Sequence, residues 1–387
     1  MREVVVIGAG VLGAWTAFYL RQRGAKTLLV DAWEPGHVRA SSSGESRVIR
    51  AGYGERRLYT RWAWCALGAW KLWEQAWGVQ LFHRLGVLWL HERESDYTAA
   101  SFAALAEEKI PVERISLEEL LRRFPQISPQ GIGVAYLEPE GGALLAERSV
   151  RAVVEAFVGA GGEFSLGRVE SPREAPAGRR CHLEEVRLAD GSKLEADSFV
   201  FACGPWLPEL FPIELGNFIR VTRQEVFFFG VPPGDPRFSA GGLPVWLSGS
   251  FYGVPALAGR GFKIAEDELG PPFDPTTGER MASEESLARV RQFLAQRFPG
   301  MKYAPLVEAR VCQYESTRDG HLLIDRHPEW ENVWLVGGGS GHGFKLGPKV
   351  GELVAAQVAG TASEAVPAEL RLYPRPTTPT RSPTSTG

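Results

Sequence analysis

At 387 residues with 44% hydrophobic side chains, the chain has core material for one large unit or two intimately packed domains. Basic and acidic residues nearly balance, 43 against 46 for a net charge of -3 with interspersed signs, which supplies no broad basic field for nucleic acid. Four scattered cysteines (Cys65, Cys181, Cys203, Cys312) form no CxxC pair, and seven histidines show no HExxH spacing, so neither a disulfide framework nor a metal site is expected. The opening segment is apolar for only a few residues after Arg2, which fits neither a secretory signal nor a membrane span, and a cytoplasmic location is expected.

The run Val4-Val5-Val6-Ile7 enters Gly8-Ala9-Gly10-Val11-Leu12-Gly13, an amphipathic helix over 11–23 stopped by Gly24, and a strand ending at Asp31. This reads as a dinucleotide-binding βαβ unit. Gly8 permits the tight turn, Gly10 lets the backbone approach a pyrophosphate, and Gly13 lets the helix pack closely on the sheet. The helix N-terminus suits the phosphates and Asp31 can accept ribose hydroxyl hydrogen bonds.

A small-residue loop follows over 40–50, ending in Arg47 and Arg50, and can lie against a flat cofactor. Trp62, Trp70, Trp73 and Trp77 have helical spacing and read as core contacts. Segment 81–90 reads as a strand and 117–124 as a surface helix, both in an inserted region. A helix over 147–160 stops at Gly161-Gly162, and Asp190-Gly191 joins a hairpin. The strand over 199–203 then returns the chain to the nucleotide sheet and runs into Gly204-Pro205-Trp206. Segments 220–229, 245–247, 251–253 and 262–264 suggest a second, largely antiparallel sheet. A helix over 283–298 crosses it, capped by Ser283 and favoured by Glu284 and Glu285 at its positive end.

The strand–glycine–helix pattern recurs late, as a strand over 333–336, a glycine run over 337–343 and a helix through 350–358. A nicotinamide domain needs one such loop, whereas FAD is long enough to span two, so FAD is preferred to NAD. Segments 1–80, 145–215 and 325–372 are expected to form a discontinuous FAD-binding domain. Segments 81–144 and 216–324 form the substrate domain, and 373–387 a disordered tail.

These motifs, together with Ser46-Arg47-Val48-Ile49-Arg50, Gly52-Tyr53-Gly54-Glu55, Ala202-Cys203-Gly204-Pro205-Trp206, Val311-Cys312-Gln313-Tyr314 and Ser340-Gly341-His342-Gly343-Phe344-Lys345, resemble the glutathione-reductase-type flavin amine oxidases of the D-amino-acid oxidase superfamily. Within it the resemblance is to the monomeric sarcosine oxidases, and it covers nearly the whole chain. It implies an α/β fold, a Rossmann-like FAD-binding domain with a largely antiparallel substrate domain. The FAD contacts it implies are Gly8, Gly10, Val11, Leu12, Gly13, Asp31, Ala32, Ser43, Ser46, Arg47, Cys203, Gly204, Trp206, Cys312, Gly339, Gly341, His342, Gly343, Phe344 and Lys345.

The resemblance also implies roles. Cys312 matches the cysteine joined through sulfur to the flavin 8α-methyl carbon, although a buried cysteine can also be inert. Arg50 and Lys345 match the substrate-carboxylate pair, a planar fork and a point charge. Arg47 matches a residue beside the flavin ring, and Lys263 the lysine that assists oxygen, where a fixed cation stabilises developing negative charge. A lysine at a strand edge can instead blunt aggregation. Tyr252 matches an active-site tyrosine that contacts the carboxylate or lines the amine cavity, and a core tyrosine would read the same. Asp267 stands where those oxidases carry a histidine, a departure that touches amine preference and pH profile. The implied activity is FAD-dependent oxidation of sarcosine or a related secondary-amine amino acid by oxygen, in a monomer with no nucleic-acid or membrane partner. The alternatives are a proline, pipecolate or fructosyl amino acid oxidase, an amine dehydrogenase, a non-catalytic flavin-binding assembly protein, or a nicotinamide-dependent hydroxy-acid dehydrogenase.

Overall fold

The computed structural model describes residues 3–172 and 180–372, so the tail expected over 373–387 lies outside the described residues. A six-stranded sheet runs in the order Leu323–Arg326, Val333–Gly337, Ser198–Phe201, Glu3–Ile7, Lys26–Asp31, Glu163–Leu166. Its pairs are parallel except the first. Val4 to Ile7, Phe199 to Phe201 and Val333 to Val336 are buried on both faces, and such continuous apolar runs are stable only when layers cover both sides. The helix Val11–Gln22 lies on this sheet and packs against the helices Gly347–Ala359 and Ala146–Gly159.

The second sheet has eight strands, in the order Leu306–Thr317, Ile219–Phe229, Phe262–Glu266, Phe251–Val254, Val245–Ser248, Val87–His91, Val134–Glu138, Glu113–Ile115. It is antiparallel except where Val245–Ser248 meets Val87–His91. Phe227, Phe229, Trp246, Phe262 and Ile264 form its core with Val290, Leu294 and Phe298 from the helix Glu284–Arg297 and just beyond it. Ser283 caps that helix, its Oγ accepting the Ser286 N–H at 3.2 Å. No helix among the described residues is long and apolar enough to cross a membrane.

Two expected segments divide differently. The strand expected over 81–90 breaks at Gly86, whose φ of +73° turns the chain, so that Phe82–Arg84 and Val87–His91 join different sheets. The loop expected over 40–50 contains a strand, Ser46–Ile49, because Gly142–Leu145 offers it an antiparallel edge. With Phe82–Arg84 these form a three-stranded sheet whose members straddle the segment borders at 80/81 and 144/145. Strand Leu306–Thr317, marked in the sequence only by its 311–314 motif, is the longest strand among the described residues. Its first half exposes Val307 and Ala309 and partly covers the charged Glu308 and Arg310, the reverse of the usual strand alternation, and it becomes a strand by pairing with Ile219–Phe229.

The helix crossing of Val11–Gln22 with Gly347–Ala359 is tight enough to test. A Cβ on Gly351 would stand 2.6 Å from the Trp15 backbone carbon, so Gly351→Ala must separate the helices. It should cost about 1–3 kcal/mol, read as a lower urea midpoint at unchanged denaturant slope.

Candidate functional site

The carboxyl ends of the first two parallel strands open into a cavity of about 790 Å³ that extends to the eight-stranded sheet. Gly8, Gly10, Val11, Leu12, Asp31, Ala32, Cys203, Gly204 and Trp206 line its nucleotide-sheet side. Gly8 has φ +104°, and a Cβ there would sit 2.4 Å from the Ala202 carbonyl oxygen. Gly13 is outside the wall: a Cβ on it would meet the Gly8 oxygen at 1.8 Å, so it serves the helix–turn packing. Asp31 braces the same turn, its Oδ2 accepting the Ala9 N–H at 2.5 Å and its Oδ1 the Trp33 N–H at 2.9 Å. Burial raises the Asp31 carboxyl above its ordinary pKa, against the opposing pull of these N–H groups. Ser42 Oγ accepts the Val11 N–H at 3.0 Å at the helix start. The Cys203 thiol is pushed up by burial and donates to the Ile7 carbonyl.

Arg47, Arg50, Lys263 and Lys345, from three parts of the chain, are among the cations that line the cavity, along with Arg168 and Arg318. Arg47, on strand Ser46–Ile49, donates from Nη2 to the Ser41 and Ser43 carbonyls at 2.8 and 2.6 Å, and lies 5.7 Å from the Phe344 ring centroid. Lys263, on strand Phe262–Glu266, donates to the Ser46 carbonyl at 2.7 Å and is only 3% exposed. Burial, reinforced by the Arg47 charge, pushes its ammonium down to about 7. Ser43 and Ser46 do not line the cavity, and these contacts use their carbonyls to hold the two cations.

Arg50 and Lys345 converge on Tyr53. The guanidinium carbon lies 4.9 Å from the Tyr53 ring centroid and 4.7 Å from that of Trp89, a cation held between two π faces. Lys345 donates to the Tyr53 hydroxyl at 3.0 Å and to the His342 carbonyl at 3.3 Å. Burial, then repulsion from Arg50, holds the Lys345 ammonium well below its ordinary pKa. A carboxylate between the two cations would offset that repulsion. The His342 Nε2 sits 3.0 Å from the Gly320 carbonyl, which assigns the proton to that nitrogen, and burial keeps the ring neutral. Below Arg50, the buried Glu138 accepts the Ala51 and Gly52 N–H groups at 2.7 and 3.3 Å and the Trp89 Nε1–H at 2.9 Å.

The eight-stranded sheet contributes Tyr252, Cys312 and Tyr314 to the wall, with Asp267 just past strand Phe262–Glu266. The Tyr314 hydroxyl donates to Asp267 Oδ1 at 3.0 Å, and the Tyr252 and Tyr314 hydroxyls are hydrogen-bonded to each other. Gly339, Gly341, His342, Gly343 and Phe344 close the cavity from the late glycine loop. Glu315 ties that loop down: it accepts the Gly339 N–H at 3.3 Å and the Ser41 hydroxyl at 3.0 Å, and burial pushes its carboxyl up to about 7. Tyr53, Glu138 and Glu315 had no role assigned from sequence. Tyr53 lies inside Gly52-Tyr53-Gly54-Glu55, whereas Glu138 and Glu315 show no local pattern that separates a buried carboxyl from a surface one.

A family model described as FAD dependent oxidoreductase matches residues 3–357. The chain belongs to this family. The oxidoreductase is 32% identical over 362 residues to monomeric sarcosine oxidase of Bacillus sp. (strain B-0618), covering 91% of this chain and 90% of that one. It is 30% identical over 368 residues to human peroxisomal sarcosine oxidase, covering 91% and 90%. A crystal structure of a thermally stable fructosyl peptide oxidase mutant shares the fold, with a TM-score of 0.83 at 21% identity over 100% of this chain and 96% of that one.

The residues present fit FAD. Side chains on Gly8 and Gly13 would clash with backbone carbonyls, Asp31 lies at the end of the second strand, and the late glycine loop faces the same cavity. The early glycine turn, the late glycine loop and the buried cations Arg50, Lys263 and Lys345 thus face one cavity.

Glu315 allows a pH test. Its folded-state pKa of about 7 exceeds the ordinary 4.5, so between these values the native state binds more protons than the unfolded state and stability falls as pH rises. Glu315→Gln should remove that component, and the difference in urea midpoint between variant and wild type should grow from pH 4.5 to about 7.

Proposed function

We propose that this oxidoreductase oxidises the carbon–nitrogen bond of a small secondary-amine amino acid, with sarcosine the leading substrate and oxygen the electron acceptor. The products would be glycine, formaldehyde and hydrogen peroxide. The observation that carries this reading is the convergence of buried Arg50 and Lys345 on Tyr53, inside the cavity that fits FAD. The sarcosine oxidases related to this chain over nine-tenths of its length support the substrate class. FAD, when bound, supplies the two-electron redox chemistry, and the protein supplies position and charge.

In this reading Arg50 grips the substrate carboxylate as a planar fork while Trp89 and Tyr53 fix its plane, and Lys345 adds a point charge from the other side. Arg47, anchored by the loop carbonyls, holds positive charge near the isoalloxazine site. Lys263 carries its proton at Nζ below about pH 7 and presents a cation to oxygen as negative charge develops. The Cys312 sulfur, on the cavity wall, is proposed to join the flavin covalently. The segments 1–80, 145–215 and 325–372 are proposed to serve FAD, and 81–144 and 216–324 the substrate, in a monomeric enzyme.

Anaerobic addition of sarcosine should bleach the visible flavin absorbance, and bleaching by proline or pipecolate alone would overturn the sarcosine assignment. Arg50→Met should weaken carboxylate inhibitors by about 2–5 kcal/mol, roughly thirtyfold or more in Kd; unchanged affinity refutes the clamp. Acid precipitation should leave flavin with wild-type protein and release it from Cys312→Ala, while release from both removes the covalent link.

A further inference from the structure

A second, much smaller cavity of about 10 Å³ meets the main one at Lys263. Among the described residues, Lys263 alone lines both. Its contacts divide the same way. The ammonium lies 5.6 Å from the ring centroid of Tyr252, which lines the main cavity, and donates at 2.7 Å to the carbonyl of Ser46, which lines the small one. Leu145, Phe228, Val254, Pro255 and Leu257 give the small cavity a mostly apolar wall. Its outer end lies at the turn that follows them, where Ala258 is exposed and the half-exposed Arg260 pairs with Glu45 and with Glu308. Ala258 holds φ +51°, a left-handed conformation that costs a non-glycine residue about 1 kcal/mol or more and persists only where surrounding structure imposes it.

We propose that this small cavity is the inlet through which dioxygen reaches Lys263, entering beneath the turn at 257–261 rather than through the main cavity. A space of this size holds one molecule about as large as water, so it excludes the amino acid and the cofactor. Its wall favours an apolar guest: dioxygen carries no hydrogen-bonding group to desolvate, whereas a water in contact with five apolar side chains forfeits partners. The main cavity is the one that FAD and the amino acid fill, and a separate inlet lets oxygen arrive while they stay in place. Because the lysine stands where the two spaces meet, an incoming oxygen meets the cation on arrival. The assignment rests on the reading of oxygen as the electron acceptor and of Lys263 as the cation that assists it.

The test uses the flavin-loaded enzyme, reduced with dithionite and mixed with oxygenated buffer, and follows the return of visible flavin absorbance. A parallel mixing under nitrogen replaces oxygen with dichlorophenolindophenol, a dye acceptor too large for the small cavity. Leu257→Trp should fill the inlet and slow reoxidation by oxygen about tenfold, equivalent to about 1.4 kcal/mol on the barrier, while reoxidation by the dye and reduction by substrate keep their wild-type rates. Leu257→Ala should reoxidise at least as fast as wild type. Ala258→Trp, on the exposed side where the fold has room, is the second blocking variant and should slow the oxygen reaction in the same sense. Wild-type oxygen rates in both blocking variants, or equal slowing with oxygen and dye, overturns the inlet. Slow reoxidation in Lys263→Met beside wild-type rates in both blocking variants leaves the role of the lysine standing and removes the inlet alone. Failure of oxygen to reoxidise wild type overturns the oxygen reading and the inlet together.

Discussion

Burial of positive charge without a contacting carboxylate is the constraint on which the site depends. Arg50, Lys263 and Lys345 are buried and Arg47 is half-buried, and an ammonium or guanidinium so placed loses hydration that a surface ion pair would keep. The fold meets this cost with dipoles and π faces: carbonyls of Ser41, Ser43, Ser46, Gly52 and His342, and the rings of Tyr53, Trp89 and Phe344. Such partners stabilise a cation without cancelling its charge. The two lysines register the remaining strain as depressed pKa values, and an incoming anion can relieve it. A carboxylate in direct contact would have removed the field that an anionic ligand needs.

Holding those carbonyls in place is the work of the small three-stranded sheet and the loops around it. Ser46–Ile49 carries Arg47 and leads directly to Arg50, and its pairing with Gly142–Leu145 leaves the Ser46 carbonyl available to Lys263 from the eight-stranded sheet. Glu138, at the end of its own strand, accepts the N–H groups of Ala51 and Gly52 and so sets the chain just after Arg50. Glu315 does the equivalent for the late glycine loop and Ser41. These two buried carboxyls hydrogen-bond backbone N–H groups and neutral side chains, not the cations, and Glu138 offsets the Arg50 and Lys345 charges only through space.

Local pattern determined a good part of this. The βαβ unit was legible because a buried parallel strand, a glycine turn and a helix start impose fixed residue types at fixed spacing, and Gly8, Gly10 and Asp31 stand where that geometry demands. The helices Val11–Gln22 and Ala146–Gly159 were legible from apolar periodicity and the Ser283 cap from its hydroxyl and the acids beside it, whereas the helix Asp96–Glu107 was not read. The family resemblance placed the four cations on motifs, but it could not supply what surrounds them.

Non-local pairing decided the rest. Strand Ser46–Ile49 exists because an edge formed by residues far along the chain accepts it, and Leu306–Thr317 extends beyond its motif because Ile219–Phe229 continues beside it. Neither edge is visible in a window of sequence. The convergence of Arg50 and Lys345 on Tyr53, and of Tyr314 on Asp267, joins side chains from different elements. Residue type and spacing along the chain determined which groups could carry charge and where the nucleotide turn lies; only the tertiary structure decided which charges are buried, what they face and which remain uncompensated, because burial and distance are properties of the packed chain.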